Sequence, residues 1–390
     1  MFTMKEHDYV RGIIDDCAVN GVMKEAVRDF NVMEIAPDGG QVRMWVSAAH
    51  LTDLQRGSKF WSPKELYAEV VEQNGFPPAF SSLGLENIEL ISGPGCPVCV
   101  TPPGYLDSAI ELALKHNAVI ATFGDLIRVP GSEMSLAQAR TRGAALKTVY
   151  SPLDAVEFAA ANLDKEVVFL AVGFETTTPS ACIAVKRAAA LGIKNFSLLT
   201  ANKTMPQAYK ALQGSADAFL YPGHVHAIIG TKLCEELKND YGVSGVVAGF
   251  TAEAVIKALG MIVEYAQSGE PFCDNAYTSV VKAGGNVAAQ QLVNSMMEPC
   301  DCVWRGLGEI KGSGMKLKSQ WSEFDAVYKF SLTPDDGKCN PGCRCGEVLK
   351  GICKPCDCPL FGKVCTPINP VGACMVSGEG ACSAFYQYGQ

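Results

Sequence analysis

The chain has 390 residues, 48% of them apolar and 19% charged, which is enough to bury large cores and is unlike a disordered chain. Its net charge of −8, with no block of lysines and arginines, argues against a nucleic-acid surface. The long apolar stretch over residues 246–265 is interrupted by Glu253, Lys257 and Glu264, so no membrane span is expected.

In chain order, Val10, Ile13, Ile14, Cys17, Val22 and Val27 recur at roughly helical spacing and predict a packing helix over residues 1–28. Lys5, Glu6, Asp8, Arg11, Asp15 and Asp16 leave no apolar export core at this end, so a cytoplasmic location is expected. Phe30–Ile35 reads as a short strand, followed by the turn Ala36-Pro37-Asp38-Gly39-Gly40. Residues 41–86 are broken by Trp45, Trp61, Pro63, Pro77 and Pro78; only a helix over Pro63–Gln73, with Ser62 as N-cap, stands out.

Beyond residue 86, strands and helices alternate. The predicted strands are Ile88–Ser92, Ala118–Phe123, Lys147–Tyr150, Glu166–Val172, Phe196–Thr200, Ala218–Tyr221 and Gly245–Ala248. The predicted helices are Leu106–Lys115, Ser135–Arg142, Asp154–Asn162, Ser180–Ala190, Gln207–Gln213 and Thr231–Asn239. This alternation predicts parallel sheets flanked by helices, with sites beyond the carboxyl ends of the strands. Two α/β domains are expected, residues 30–128 and 129–250, with the seam at Arg128-Val129-Pro130-Gly131. A third, mostly helical and Cys-rich iron–sulfur domain is expected from residues 1–29 plus 251–390, with helices Ala252–Ala266 and Ala288–Met297.

Cysteine is the anomaly. There are 17, and nine fall between Cys339 and Cys382; outside that tail only Cys96/Cys99 and Cys300/Cys302 are close pairs. Cys96-Pro97-Val98-Cys99, after a predicted strand and a Gly-Pro-Gly turn, reads as a redox dithiol or as half of a structural zinc site. The tail thiols suit an iron–sulfur cluster or zinc. Irregular gaps, with C-x-x-C only at Cys353/Cys356 and no histidine beyond His226, favour one [4Fe–4S] cluster, although spacing does not say which four cysteines bind.

Three polar loops remain. Gly173-Phe174-Glu175-Thr176-Thr177-Thr178-Pro179 precedes a helix, where Thr177 or Thr178 is expected to cap and Glu175 argues against phosphate. His224, after Pro222-Gly223, is expected at a strand end, and His226 on the surface or in packing. Asp125 and Arg128 are expected to pair across their turn. No G-x-G-x-x-G or Walker loop supports a nucleotide.

These stretches resemble the HypD-type maturation proteins of [NiFe] hydrogenases. The resemblance rests on Gly93–Pro102, Phe123–Gly131, Gly173–Pro179, Pro222–Val225, Val246–Phe250 and Trp304–Gly308. In the tail it rests on Cys345–Leu349, Cys358–Gly362, Cys365–Pro367 and Gly378–Cys382. It implies a scaffold on which the Fe(CN)2CO unit is assembled, working with a small HypC-type chaperone and a HypE-type cyanide donor, without independent turnover. It further implies cluster ligands at Cys345, Cys358, Cys365 and Cys382 and a redox pair at Cys96 and Cys99. Apart from the resemblance, His224 and Glu175 in their polar loops are further candidate catalytic groups. One family motif is missing: where the family has Cys-Gly-Gly-His-Thr-His after Val-Met-Glu-Ile, Val32-Met33-Glu34-Ile35 runs into Ala36-Pro37-Asp38. Two other readings therefore stand beside the scaffold: an iron–sulfur dithiol oxidoreductase acting on another substrate, and a non-catalytic assembly subunit.

Overall fold

A computed structural model describes residues 42–47, 88–266 and 268–388. The predicted helices over 1–28 and Pro63–Gln73 and the predicted strand Phe30–Ile35 lie outside the described residues. The described chain opens with β1 (Val42–Ser47), β2 (Ile88–Gly93), α1 (Pro103–Lys115), β3 (Val119–Thr122), α2 (Leu136–Thr141) and β4 (Leu146–Thr148). It continues through α3 (Pro152–Ala161), β5 (Val167–Gly173), α4 (Thr178–Ala190), β6 (Phe196–Asn202), α5 (Met205–Ala211) and β7 (Ala218–Pro222). Next come α6 (Gly223–Ile229), α7 (Lys232–Tyr241), β8 (Gly245–Ala248), α8 (Ala252–Ala266), β9 (Cys273–Asn275) and α9 (Val287–Met296). A hairpin of β10 (Met297–Trp304) and β11 (Gly308–Leu317) leads to the short helices α10 (Ala326–Lys329), α11 (Cys345–Leu349) and α12 (Ala381–Tyr388).

Two parallel sheets form the body. One has the order β2-β1-β7-β8-β9 and the other β4-β3-β5-β6. The expected seam near Arg128 thus falls inside the second sheet, between β3 and β4, while β7 and β8 join β2 across the intervening strands. Sequence proximity does not decide partners in a parallel sheet, because every crossover carries the chain over a face before it pairs.

The second sheet shows why its strands read as unbroken apolar runs. On β5, Val167, Phe169 and Ala171 join a core with α3, α4 and Met297, Met315 and Leu317 of the hairpin. Val168, Leu170 and Val172 join a second core with α1 and α2 on the opposite face. Both faces are covered, so both sets must be apolar. Local signals fix the helix starts: Ser135 and Gln138 exchange bonds at the head of α2, and Ser151 and Asp154 do so at α3, where Pro152 occupies the first turn.

In the first sheet, Leu220, Val246 and Ala248 meet Val255, Leu259, Ile262 and Val263 of α8. Phe219, Tyr221 and Val247 face the other way, into a core that also holds the C-x-x-C cysteines and several tail cysteines. The carboxyl-terminal region is less helical than expected, since its largest ordered element is the antiparallel β10–β11 hairpin. Gly308, Gly312 and Gly314 obscure its alternation in sequence. No helix among the described residues is long and apolar enough to cross a membrane.

Candidate functional site

The loop after β2 turns tightly. Cys99 N–H and Val100 N–H both donate to the Cys96 carbonyl, at 3.1 and 3.3 Å, and Thr101 Oγ1 donates to Pro97 O at 2.8 Å. This winding brings the Cys96 and Cys99 Cα atoms to 5.3 Å, and the two residues are disulfide-bonded. Both are buried, at 1% and 0% exposure. Cys99 N–H also points at Cys96 Sγ, 3.2 Å away.

The tail folds against this loop. Cys345, Cys358, Cys365 and Cys382 are all buried. Burial pushes the Cys382 thiol well above its ordinary value, and negative charge on Cys345, Cys343, Cys365 and Cys358 adds to the shift, so these sulfurs share one neighbourhood. Cys343 and Cys374 also act on the Cys345 thiol, so they belong to the same neighbourhood. Among the described residues, no three His, Cys, Asp or Glu side chains converge on a point that would hold a single ion. Cys96, Cys99, Cys345, Cys365, Cys374 and Cys382 belong to the same contiguous core, with Phe174, Trp304 and Leu349.

The seam between loop and tail is built by the turn after β10. Arg305, 4% exposed, donates from its backbone to Val100 O at 2.8 Å. Its guanidinium donates to Thr101 O at 2.7 Å and to Pro130 O at 3.0 Å. Gly306, at φ +82°, sits so close to α11 that a Cβ on Gly346 would come within 2.8 Å of its Cα. Arg128, expected to pair with Asp125, instead donates to tail carbonyls, Pro367 O at 2.9 Å and Val376 O at 3.4 Å. The guanidinium has more to satisfy there, because the tail brings carbonyls with no partners of their own in a helix or ladder. Within Trp304-Arg305-Gly306-Leu307-Gly308 the sequence assigns Arg305 no role of its own; its one signal there is an arginine in an otherwise apolar and glycine-rich turn.

The remaining candidates do not all gather at the dithiol. Glu175 is buried, with Oε1 accepting from Met205 N–H at 2.9 Å and Oε2 unpartnered. Burial pushes its carboxyl up to about 7, against bonds from its own and the Met205 backbone that pull down. Thr177 occupies the N-cap position of α4, yet neither threonine caps: Thr177 and Thr178 hydroxyls turn back to Phe174 O at 3.2 and 2.9 Å. His224 lies in the first turn of α6, not at a strand end, because Pro222-Gly223 opens a helix directly. The residue keeps contact with solvent while its ring stacks on Phe250 at 4.0 Å, and desolvation by the surrounding protein lowers its pKa. His226 is fully buried, with Nδ1 2.8 Å from Gly230 O, and burial lowers it to about 4.

The HypD family model, described as "Hydrogenase formation hypA family", matches residues 78–389. The hydrogenase maturation factor HypD of Rhizobium leguminosarum bv. viciae is 43% identical over 333 residues, covering 81% of this chain and 86% of the relative. The protein of the same name from Azotobacter vinelandii is 42% identical over 315 residues, 78% of this chain and 83% of the relative. That of Escherichia coli (strain K12) is 42% identical over 312 residues, with the same two shares, 78% and 83%.

Proposed function

This chain belongs to the HypD family, and we propose that it serves hydrogenase maturation as a scaffold on which the Fe(CN)2CO unit is assembled. The observation that carries the reading is the single buried core that the Cys96–Cys99 pair shares with Cys345, Cys365, Cys374 and Cys382 of the tail. In this reading the tail holds a [4Fe–4S] cluster through Cys345, Cys358, Cys365 and Cys382. The donor set fits: four buried soft sulfurs in one neighbourhood, with Val371 N–H donating to Cys365 Sγ at 3.3 Å. Each corner iron of a cluster takes its own thiolate, so the sulfurs need a common pocket but not the convergence that one zinc ion demands. When bound, the cluster supplies single electrons.

The chain's own residues define the rest. Opening the Cys96–Cys99 bond takes two electrons and two protons and leaves two thiols, which suits a site that receives electrons one at a time. Cys99 N–H stands 3.2 Å from Cys96 Sγ, so negative charge released on that sulfur meets a donor already in place. Arg305 holds the loop's carbonyls, and the adjoining Gly306 approaches Gly346 of the tail. Burial keeps water from the dithiol. A HypC-type chaperone and a HypE-type cyanide donor are the partners this function requires, and the iron unit is their shared cargo. His224 and Glu175 serve as proton-handling groups near the carboxyl ends of β7 and β5.

The test is anaerobic co-expression with HypC-type and HypE-type partners, followed by infrared spectroscopy. Cyanide and carbonyl bands that vanish in Cys96→Ser are expected; a protein with a full cluster and no such bands overturns the scaffold reading. One sequence observation favours a second reading, an iron–sulfur dithiol oxidoreductase acting on another substrate: Val32–Asp38 lacks the family's cysteine. Reduction of a protein disulfide, lost in Cys96→Ser, would separate it from the first.

A further inference from the structure

Lys203 follows β6 and runs into the protein. It is 1% exposed, and its Nζ donates to Cys302 Sγ at 2.9 Å and to Val303 O at 3.1 Å, over the Trp304 ring at 5.6 Å. Among the described residues, no carboxylate forms an ion pair with it. A buried ammonium needs a counter-charge, and the sulfur is the group positioned to provide one. Cys300 lies beside it. A Cβ added to Gly314 on the facing strand would come within 2.7 Å of Cys302 Cβ and 3.0 Å of Cys300 Sγ, so both cysteine side chains lie over that glycine. The β10–β11 register shifts between Cys300, opposite Gly314, and Cys302, opposite Ile310, so β11 carries the extra residues of an irregularity at this pair. Both thiols are half-buried, within reach of solvent.

We propose that Cys300 and Cys302 form a second dithiol site, separate from Cys96–Cys99, that reacts with small disulfides by thiol–disulfide exchange, with Cys302 as nucleophile. Lys203 supplies the positive charge that a nucleophilic sulfur needs beside it. The Cys302 thiolate attacks a disulfide RSSR, forming a Cys302–SR bond and releasing RS⁻. Cys300 then attacks the Cys302 sulfur, forming the Cys300–Cys302 bond and releasing RSH. The protein loses two electrons, the small disulfide gains them, and the proton of Cys300 leaves with RSH. Burial pushes the Cys300 thiol up, which suits the second attacker and not the first.

The experiment is peptide-resolved mass spectrometry of the reduced, anaerobic full-length protein exposed to glutathione disulfide. The expected product is a Cys300–Cys302 disulfide, and Cys300→Ser should accumulate a glutathione adduct on Cys302. Lys203→Met should slow reaction at Cys302 by about tenfold without changing that at exposed Cys339. Should Lys203→Met fail to fold, the wild type decides: Cys302 must react faster in the native protein than in urea, where Lys203 is no longer beside it. A native rate no faster than that in urea, or an adduct on Cys300 in place of Cys302, overturns the proposal.

Discussion

Glu175 shows how one buried carboxyl writes itself into stability. Its ordinary value is 4.5, and burial raises it to about 7. Between those values the folded chain holds a proton that the unfolded chain has released. Stability therefore falls as pH rises through that window, and nothing is lost below it. A gap of this size corresponds to roughly 3 kcal/mol when fully expressed. Glu175→Gln keeps the acceptor for Met205 N–H and removes the charge, so it should flatten this part of the profile. Urea unfolding at pH 5 and pH 8 reads the effect directly. The variant should gain on the wild type at pH 8; an equal gap at both values would mean that the carboxylate finds a partner when it ionises. Arg305 is the opposite case, a buried cation whose hydrogen bonds end on backbone oxygens at Thr101 and Pro130. Arg305→Met strands both carbonyls and should cost about 2–4 kcal/mol in the same unfolding measurement. Lysine should recover only part of that loss, because its single ammonium cannot reproduce the guanidinium fork.

The β10–β11 hairpin carries the seam at the scale of elements. Trp304 is fully buried, donates to Ser313 Oγ across the hairpin at 2.8 Å and stacks on Phe174 at 5.9 Å. Trp304→Ala should cost about 3–5 kcal/mol, and Trp304→Phe much less, since the ring against Phe174 survives. Matched losses in chemical unfolding would show instead that the indole hydrogen bond carries the hairpin. This hairpin also marks where sequence reasoning stopped. The strands β3, β5, β6, β7 and β8 were legible because burial on both faces makes them continuous apolar runs such as Val-Val-Phe-Leu-Ala-Val. Their helices were legible from apolar spacing, whereas the caps at Ser135 and Ser151 emerge only with the structure, which starts α3 at Pro152 and not at the expected Asp154. Strand β1 was not, lying among tryptophans and prolines with no pattern of its own, and it takes its place by pairing with β2 and β7. Sheet membership was equally hidden, because it depends on crossovers. The candidate cysteines could be read from their clustering, whereas their nearness to the dithiol depends on Arg305 and the Gly306–Gly346 approach, which spacing along the chain does not encode.

At the scale of the molecule, the tail is an attachment whose order comes from outside itself. Helices α11 and α12 have five and eight residues, too short to persist alone in water. They are held by the core they share with the dithiol and, in the proposed function, by the cluster, while Arg128 ties down the segment between them at Pro367 and Val376. The face of the second sheet against α3 and α4 holds no tail cysteine in its core. Losing the cluster should therefore loosen the molecule unevenly. Removing iron by anaerobic chelation, or replacing Cys382 with serine, should raise amide hydrogen exchange across residues 345–388. The increase should pass through Arg305 to the loop at Cys99–Thr101, whose carbonyls it holds. Amides of β5 and β6 should keep their protection, since neither strand depends on the tail for its pairing. An increase confined to the tail would mean that the dithiol loop stands without it, and the proposed electron path from a cluster to Cys96–Cys99 would lose its structural basis. A uniform increase would mean that the tail is part of a single cooperative fold.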